Sequence, residues 1–211
     1  KMSLKTSCSS SEDRTHLRRC ITTMPLYKKR SFGIIIMILL MLIGSLAGCF
    51  KTVSGLYDDV IDIFEDGVND DDECIESYIE ERADIAADMC KIARKNLYSS
   101  EDDKLISELS DAAGALSTAL DAEDIADIKE KNDALTDAMS SVYSAMRSAG
   151  DISSKDKLEY RDLYADFESF GDQIRNDPYN TAALEYNKKT SGPLASLIKN
   201  ITPAHDAVIF S

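Results

Sequence analysis

Few residues in this chain have the type and spacing to do chemistry. Of two histidines, His16 and His205, the second lies in a carboxyl-terminal tail. A lone imidazole cannot assemble the multi-histidine ligand set of a metal centre or a histidine acid–base pair. No Glu-x-x-His pair, Gly-rich phosphate loop or nucleophile elbow occurs. The expectation is therefore no catalytic residue, no metal ligand set and no cofactor. Glu73, Glu76, Glu80, Asp84 and Asp88 recur at steps of three or four and read as a solvated helix face. Asp66, Asn69, Asp70, Asp71 and Asp72 lack the spacing of a calcium loop and read as a site of weak counterion condensation. Cys74 and Cys90 are 16 residues apart. On one continuous helix that is about 24 Å at about 1.5 Å per residue, too far for a disulfide, so both are expected as free, half-buried thiols. Tyr179, Asn180, Tyr186 and Asn187 are the candidate interaction residues. Two aromatic and amide pairs on one helix could stack on and hydrogen-bond a sugar or peptide. The competing reading is a short helix packed over the open end of a bundle, with the asparagines satisfying loop carbonyls.

The one side chain whose neighbours specify a fate is Cys49. It closes an uncharged run of 18 residues, Gly33 to Phe50, that follows Lys28, Lys29 and Arg30. The apolar core, Ile34 to Ala47, is 14 residues long, shorter than the roughly 20 that span a bilayer comfortably and close to a secretory h-region. Leu46-Ala47-Gly48-Cys49 resembles the lipobox of bacterial lipoproteins. That resemblance implies a diacylglycerol thioether on the Cys49 sulfur, cleavage before Cys49, and a stable anchor once a second acyl chain joins the first. Residues 24–48 are thus read as a lipoprotein signal peptide, or else as an uncleaved signal anchor. In either case the basic cluster stays cytoplasmic, and the rest of the chain lies on the extracytoplasmic face of the cell membrane. Residues 1–23 read as an upstream, disordered extension, with Met24 as the expected start.

Charge divides the sequence at the same place. Residues 1–48 carry 8 basic and 2 acidic residues, and residues 49–211 carry 16 basic and 36 acidic. A body with 20 excess negative charges repels phosphate backbones, so nucleic acid is excluded as an expected partner. The absence of Trp, with only 4 Pro and 9 Gly in 211 residues, favours helix over sheet.

The elements that must position these residues follow from apolar periodicity. Residues 49–57 read as a tether. A long first helix carries Leu56, Val60, Ile61, Ile63, Phe64 and Val68, and then Ile75, Ile79, Arg82, Ile85, Met89 and Ile92, with a kink or fray at Gly67 to Asp72. Ser99 caps a second helix bearing Leu105, Leu109, Leu116 and Leu120, and Asp121 with Asp124 repeats that capping pattern ahead of a third bearing Ile128, Leu135, Met139, Val142 and Met146. Ser153 caps a fourth bearing Tyr160, Leu163, Tyr164, Phe167, Phe170 and Ile174. Asp177-Pro178 then starts a short helix to about Lys188. Short connections make successive helices antiparallel. The expected fold is all-α: an extended antiparallel four-helix bundle over residues 58–190, followed by a tail, 191–211, with one short helix.

Arg82-Ala83-Asp84-Ile85 in the first helix, with Tyr179-Asn180 and Tyr186-Asn187 seven residues apart, resembles the LemA family over about residues 56–200. The departures are Ala86-Ala87-Asp88-Met89, where the family continues Pro-Asn-Leu, and Pro178 inside what is usually a continuous last helix. The resemblance implies a membrane-associated helical bundle outside the cytoplasm and no enzymatic activity. The expected function is a non-enzymatic, lipid-anchored envelope protein whose acidic bundle offers an interaction or scaffold surface to an envelope protein partner. A ligand- or cation-binding surface lipoprotein is the alternative.

Overall fold

The computed structural model describes residues 30–68, 73–201 and 204–210, with side chains from residue 33 on. The expected 1–23 extension and Asn69, Asp70, Asp71 and Asp72 of the acidic cluster lie outside them. Among the described residues every regular element is a helix, and no strand occurs. The chain divides into two compact units, Lys1–Ser45 and Leu46–Ser211. Helix α1, Arg30–Asp66, contains an 18-residue window of mean hydropathy 2.6, none of it buried.

Within the Leu46–Ser211 unit, α1 turns amphipathic. Val53, Val60 and Phe64 are buried and Cys49, Leu56, Tyr57 and Ile63 pack beside them, steps of three and four that keep one face inward. The expected tether at 49–57 is therefore helical and packed, because Cys49, Val53 and Tyr57 share that face. Nor does α1 continue to Asn96. It ends at Asp66, with Gly67 at φ 77°, the left-handed conformation that glycine adopts without steric cost. A new helix, α2 (Ile75–Asn96), begins behind Cys74, whose Sγ accepts from the Ser77 amide at 3.4 Å while Ser77 Oγ accepts from the Cys74 amide at 3.3 Å. A capped restart has replaced the expected kink.

Helix α3, Ser100–Asp121, starts from a Ser99–Asp102 capping box. Helix α4, Ile125–Ser148, is capped by Asp124, and α5, Ser154–Asn176, by Ser153. In each case a side-chain oxygen satisfies an amide that the first helical turn leaves free. Asp177 ends α5 and caps α6, Pro178–Lys189. Gly192 precedes α7, Pro193–Lys199.

Helix α2 packs on α3, α4 and α5, α3 packs on α4, and α4 touches α5. Between them lie Ile79, Ala86, Met89, Leu109, Leu116, Leu135, Met139, Met146 and Phe167, all fully buried. A second layer is aromatic. Phe64 of α1 meets the Tyr179 and Phe210 rings at 5.5 and 5.9 Å, and Tyr57 meets Tyr186 at 5.7 Å, separations at which rings attract beyond simple burial.

Candidate functional site

Arg82 occupies a position that hydrophobic periodicity assigns to the core, between Ile79 and Ile85, and it is buried. Buried guanidinium is costly unless its charge and its donors are answered. Here the answers are neutral. Nη1 donates to Asn132 Oδ1, Nη2 donates to Thr136 Oγ1 at 2.8 Å, and Cζ lies 4.0 Å from the Phe167 ring centroid. Asn132 and Thr136 stand one turn apart on α4, so both point to the same side, and Thr136 Oγ1 in turn donates to the Asn132 carbonyl at 2.8 Å. Arg82 Nε has no partner. Among the described residues no carboxylate hydrogen-bonds this guanidinium. Burial lowers the Arg82 pKa to about 10, with Glu168 and, less strongly, Asp133 opposing that fall through space and Arg175 adding to it.

The guanidinium lines a cleft of about 280 Å³ bounded by Asn132, Asp133, Thr136 and Asp137 of α4 and by Gly171, Ile174 and Arg175 of α5, with Phe210 beside them. Gly171 is buried in the interior of a helix, where glycine costs roughly 0.5–1 kcal/mol relative to alanine. A Cβ placed there would meet Arg175 Nη1 at 3.6 Å and Arg82 Cζ and Nη2 at 3.7 Å. Two guanidinium groups thus converge above a residue that has no side chain. Arg175 is half exposed and also donates to Asp172, and its planar fork has further donors. On the α4 side, Asp133 is tied to Lys129 at 2.8 Å.

The structure also brings together the paired Tyr and Asn residues. Tyr179 and Tyr186 are buried. Burial pushes both phenols up, Tyr186 to about 12. The amides face the segment that follows α7. Asn187 Nδ2 donates to the Ala207 carbonyl and its Oδ1 accepts from the Ala207 amide, both at 2.8 Å. Asn180 Oδ1 accepts from the Phe210 amide at 2.7 Å while its Nδ2 donates to the Ile174 carbonyl at 2.7 Å. Each asparagine acts as a substitute peptide group for an extended segment running antiparallel to α6. The spacing fits: seven helical residues rise about 10.5 Å, and three extended residues span about 10 Å. The two buried rings and the bonds from both amides form an internal clamp on the tail, the arrangement that the packed-helix reading of Tyr179, Asn180, Tyr186 and Asn187 expects.

Cys49, half-buried and free, packs beside Val53, Ile198 and Ala204. Cys74 and Cys90 are free and fully rather than half buried. Cys90 Sγ lies 3.7 Å from the Ile106 carbonyl, and burial raises its pKa, the opposite of a reactive thiolate. The acids of α2 remain at the surface in part: Glu76 titrates high, first because of burial and then because Glu65, Glu80, Glu123 and Asp66 crowd it. Among the described residues no group of three or more His, Cys, Asp or Glu side chains is arranged to hold a metal ion. Sequence reasoning missed Arg82 as a functional candidate. Its signal was a cation in an apolar stripe.

Comparison with known proteins finds no match to any protein family, any curated protein or any solved structure.

Proposed function

We propose that the chain is a non-enzymatic, lipid-anchored protein of the cell envelope, held on the extracytoplasmic face of the membrane, with its acidic helical body serving as an interaction or scaffold module. The observation that carries this reading is the exposed apolar start of α1 ending in Leu46-Ala47-Gly48-Cys49 at the point where the Leu46–Ser211 unit begins. A segment this apolar, left without cover, is suited to lipid. Behind it the body carries its surplus acid on the surface, where helix-spanning pairs such as Lys104–Glu108 and Lys189–Glu185 contribute little to stability and leave the negative surface available to cationic partners. The packing of α2 to α5 supports an antiparallel four-helix bundle of the LemA type as the body's architecture, with the 58–190 boundary extended to take in the clamped tail. The partner is an envelope protein or another cationic envelope component.

The test is growth with a tagged fatty acid. The wild-type chain should be labelled and found with membranes, and Cys49→Ala should lose the label. Equal labelling of both would overturn the lipid-anchor reading. A second reading, a ligand-binding surface lipoprotein, is favoured by the Arg82 cleft.

A further inference from the structure

We infer that the cleft between α4 and α5 binds a small zwitterion of the free amino acid class, its carboxylate held by Arg82 and Arg175 and its ammonium by Asp133 and Asp137. This gives the ligand-binding reading a chemical class and does not depend on acylation of Cys49.

Charge leads to this assignment. Arg82 is only 3% exposed and its hydrogen bonds end on neutral oxygens, so the site holds a buried cation that lacks an anion at bonding distance. A second guanidinium, that of Arg175, converges on it over Gly171. Two guanidinium forks at one place form a receptor for a carboxylate or a phosphate. The opposite wall separates those ligands. Asp133 and Asp137 are one helical turn apart and line the same cleft, so they oppose a ligand that is negative throughout and favour one that ends in a positive charge. A simple amine would meet the reverse obstacle at the arginines. Asp133 is shared with Lys129 and Arg175 with Asp172 at the exposed rim, and the two arginines and two aspartates together match a molecule bearing both signs a few ångströms apart. Size agrees, because about 280 Å³ is at the lower limit of ordinary ligand pockets, roughly 300–1,000 Å³. Ile174 and Phe210, which close the remaining side, offer apolar contact to a side chain.

Calorimetric titration of the full chain in detergent with glycine, L-leucine and L-glutamate, each to millimolar concentration, tests the assignment. At least one should bind saturably. Its amino-alcohol and des-amino counterparts, and inorganic phosphate, should bind at least about tenfold more weakly, as expected for losing a charge-assisted contact. Arg175→Gln alters a half-exposed side chain and should leave the fold intact while weakening binding by about tenfold or more. Gly171→Ala should narrow the cleft and weaken binding with melting unchanged or raised. The assignment is overturned if no amino acid binds, if phosphate or the des-amino acid binds as well as the zwitterion, or if Arg175→Gln leaves the affinity unchanged.

Discussion

The interior between α2 and α5 and the layer formed by α1, α6 and the tail solve the same burial problem with different materials. The first is built on α2, α3 and α4 from stripes of Ile, Leu and Met that repeat every three or four residues, with the α5 rings Tyr160 and Phe167 set against them, and apart from Arg82, Asn132 and Asp156 it takes in few charged or amide groups. The second is aromatic, built around Tyr57, Phe64, Tyr179, Tyr186 and Phe210. One of its elements is an extended stretch whose amides have no helix to bond them, and Asn180 and Asn187 supply the missing partners. Regular helices meet their own backbone demands, so their packing can be apolar throughout. An irregular segment can be buried only if side chains substitute for backbone.

The comparison breaks most visibly at its two anchor rings. Phe167 and Tyr179 are each 0% exposed, so Phe167→Ala and Tyr179→Ala should each cost about 3–5 kcal/mol in urea denaturation through lost burial and the cavity left behind. A position beyond the Pro178 break suggests only partial packing for Tyr179 and a clearly smaller loss. Its full burial removes that difference, and a Tyr179→Ala cost near 1 kcal/mol would restore it. Next in size is the clamp. Asn187→Ala leaves the Ala207 amide and carbonyl without partners and should cost about 1–3 kcal/mol, with faster hydrogen exchange at Ala207 and no change at Leu135.

Charge sharpens the contrast at smaller magnitude. Glu65 and Glu76 titrate high because of burial and then because of neighbouring carboxylates. Each binds its proton more readily folded than unfolded, so each destabilises the fold above its raised pKa, and that penalty fades as pH falls through it. Asp156 behaves oppositely. The hydrogen bond from Lys95, at 2.8 Å, holds its pKa down, so its contribution is present above the ordinary aspartate range and is lost only as pH falls through the depressed value. Stability should therefore rise as pH falls from neutrality through the raised Glu65 and Glu76 values. Replacing both Glu65 and Glu76 by Gln should flatten that rise in chemical denaturation and raise stability at pH 7 by an amount typical of surface charge pairs, about 0.2–1 kcal/mol. Of similar size, Gly171→Ala adds a methyl in ordinary contact and should stabilise by about 0.5–1 kcal/mol.

What the sequence made legible follows the same division. The helical class, the caps at Ser99, Ser153 and Asp177, and the stripes of α3, α4 and α5 could be read because periodicity and capping are local properties, whereas the cap of α4 is Asp124 and not Asp121, because α3 runs on through Asp121. The end of α1 was less legible, since Gly67 and the acids after it suit a fray as well as a break, and only the Cys74–Ser77 box decides for a restart. Tyr179-Asn180 and Tyr186-Asn187 were visible as a pattern, yet their role depends on partners at Ala207 and Phe210, 20 and 30 residues away, which no local rule reaches. Arg82 was counted among the stripe residues because of its spacing. Its consequence, a cation needing an anion, emerges only when α4 and α5 are placed around it.

The clamp also sets how α6 can change in length. Each added residue turns a helix by about 100° and lengthens it by about 1.5 Å. One insertion between Asn180 and Asn187 would swing one amide away from the tail and put a different side chain against Ala207, whereas a substitution at exposed Leu184 or Glu185 changes neither angle nor reach. The exposed positions of this segment should accept replacement freely while buried Ala183 and Tyr186 do not, and the whole segment should reject insertion and deletion, so at its outer face length is a more stringent constraint than composition.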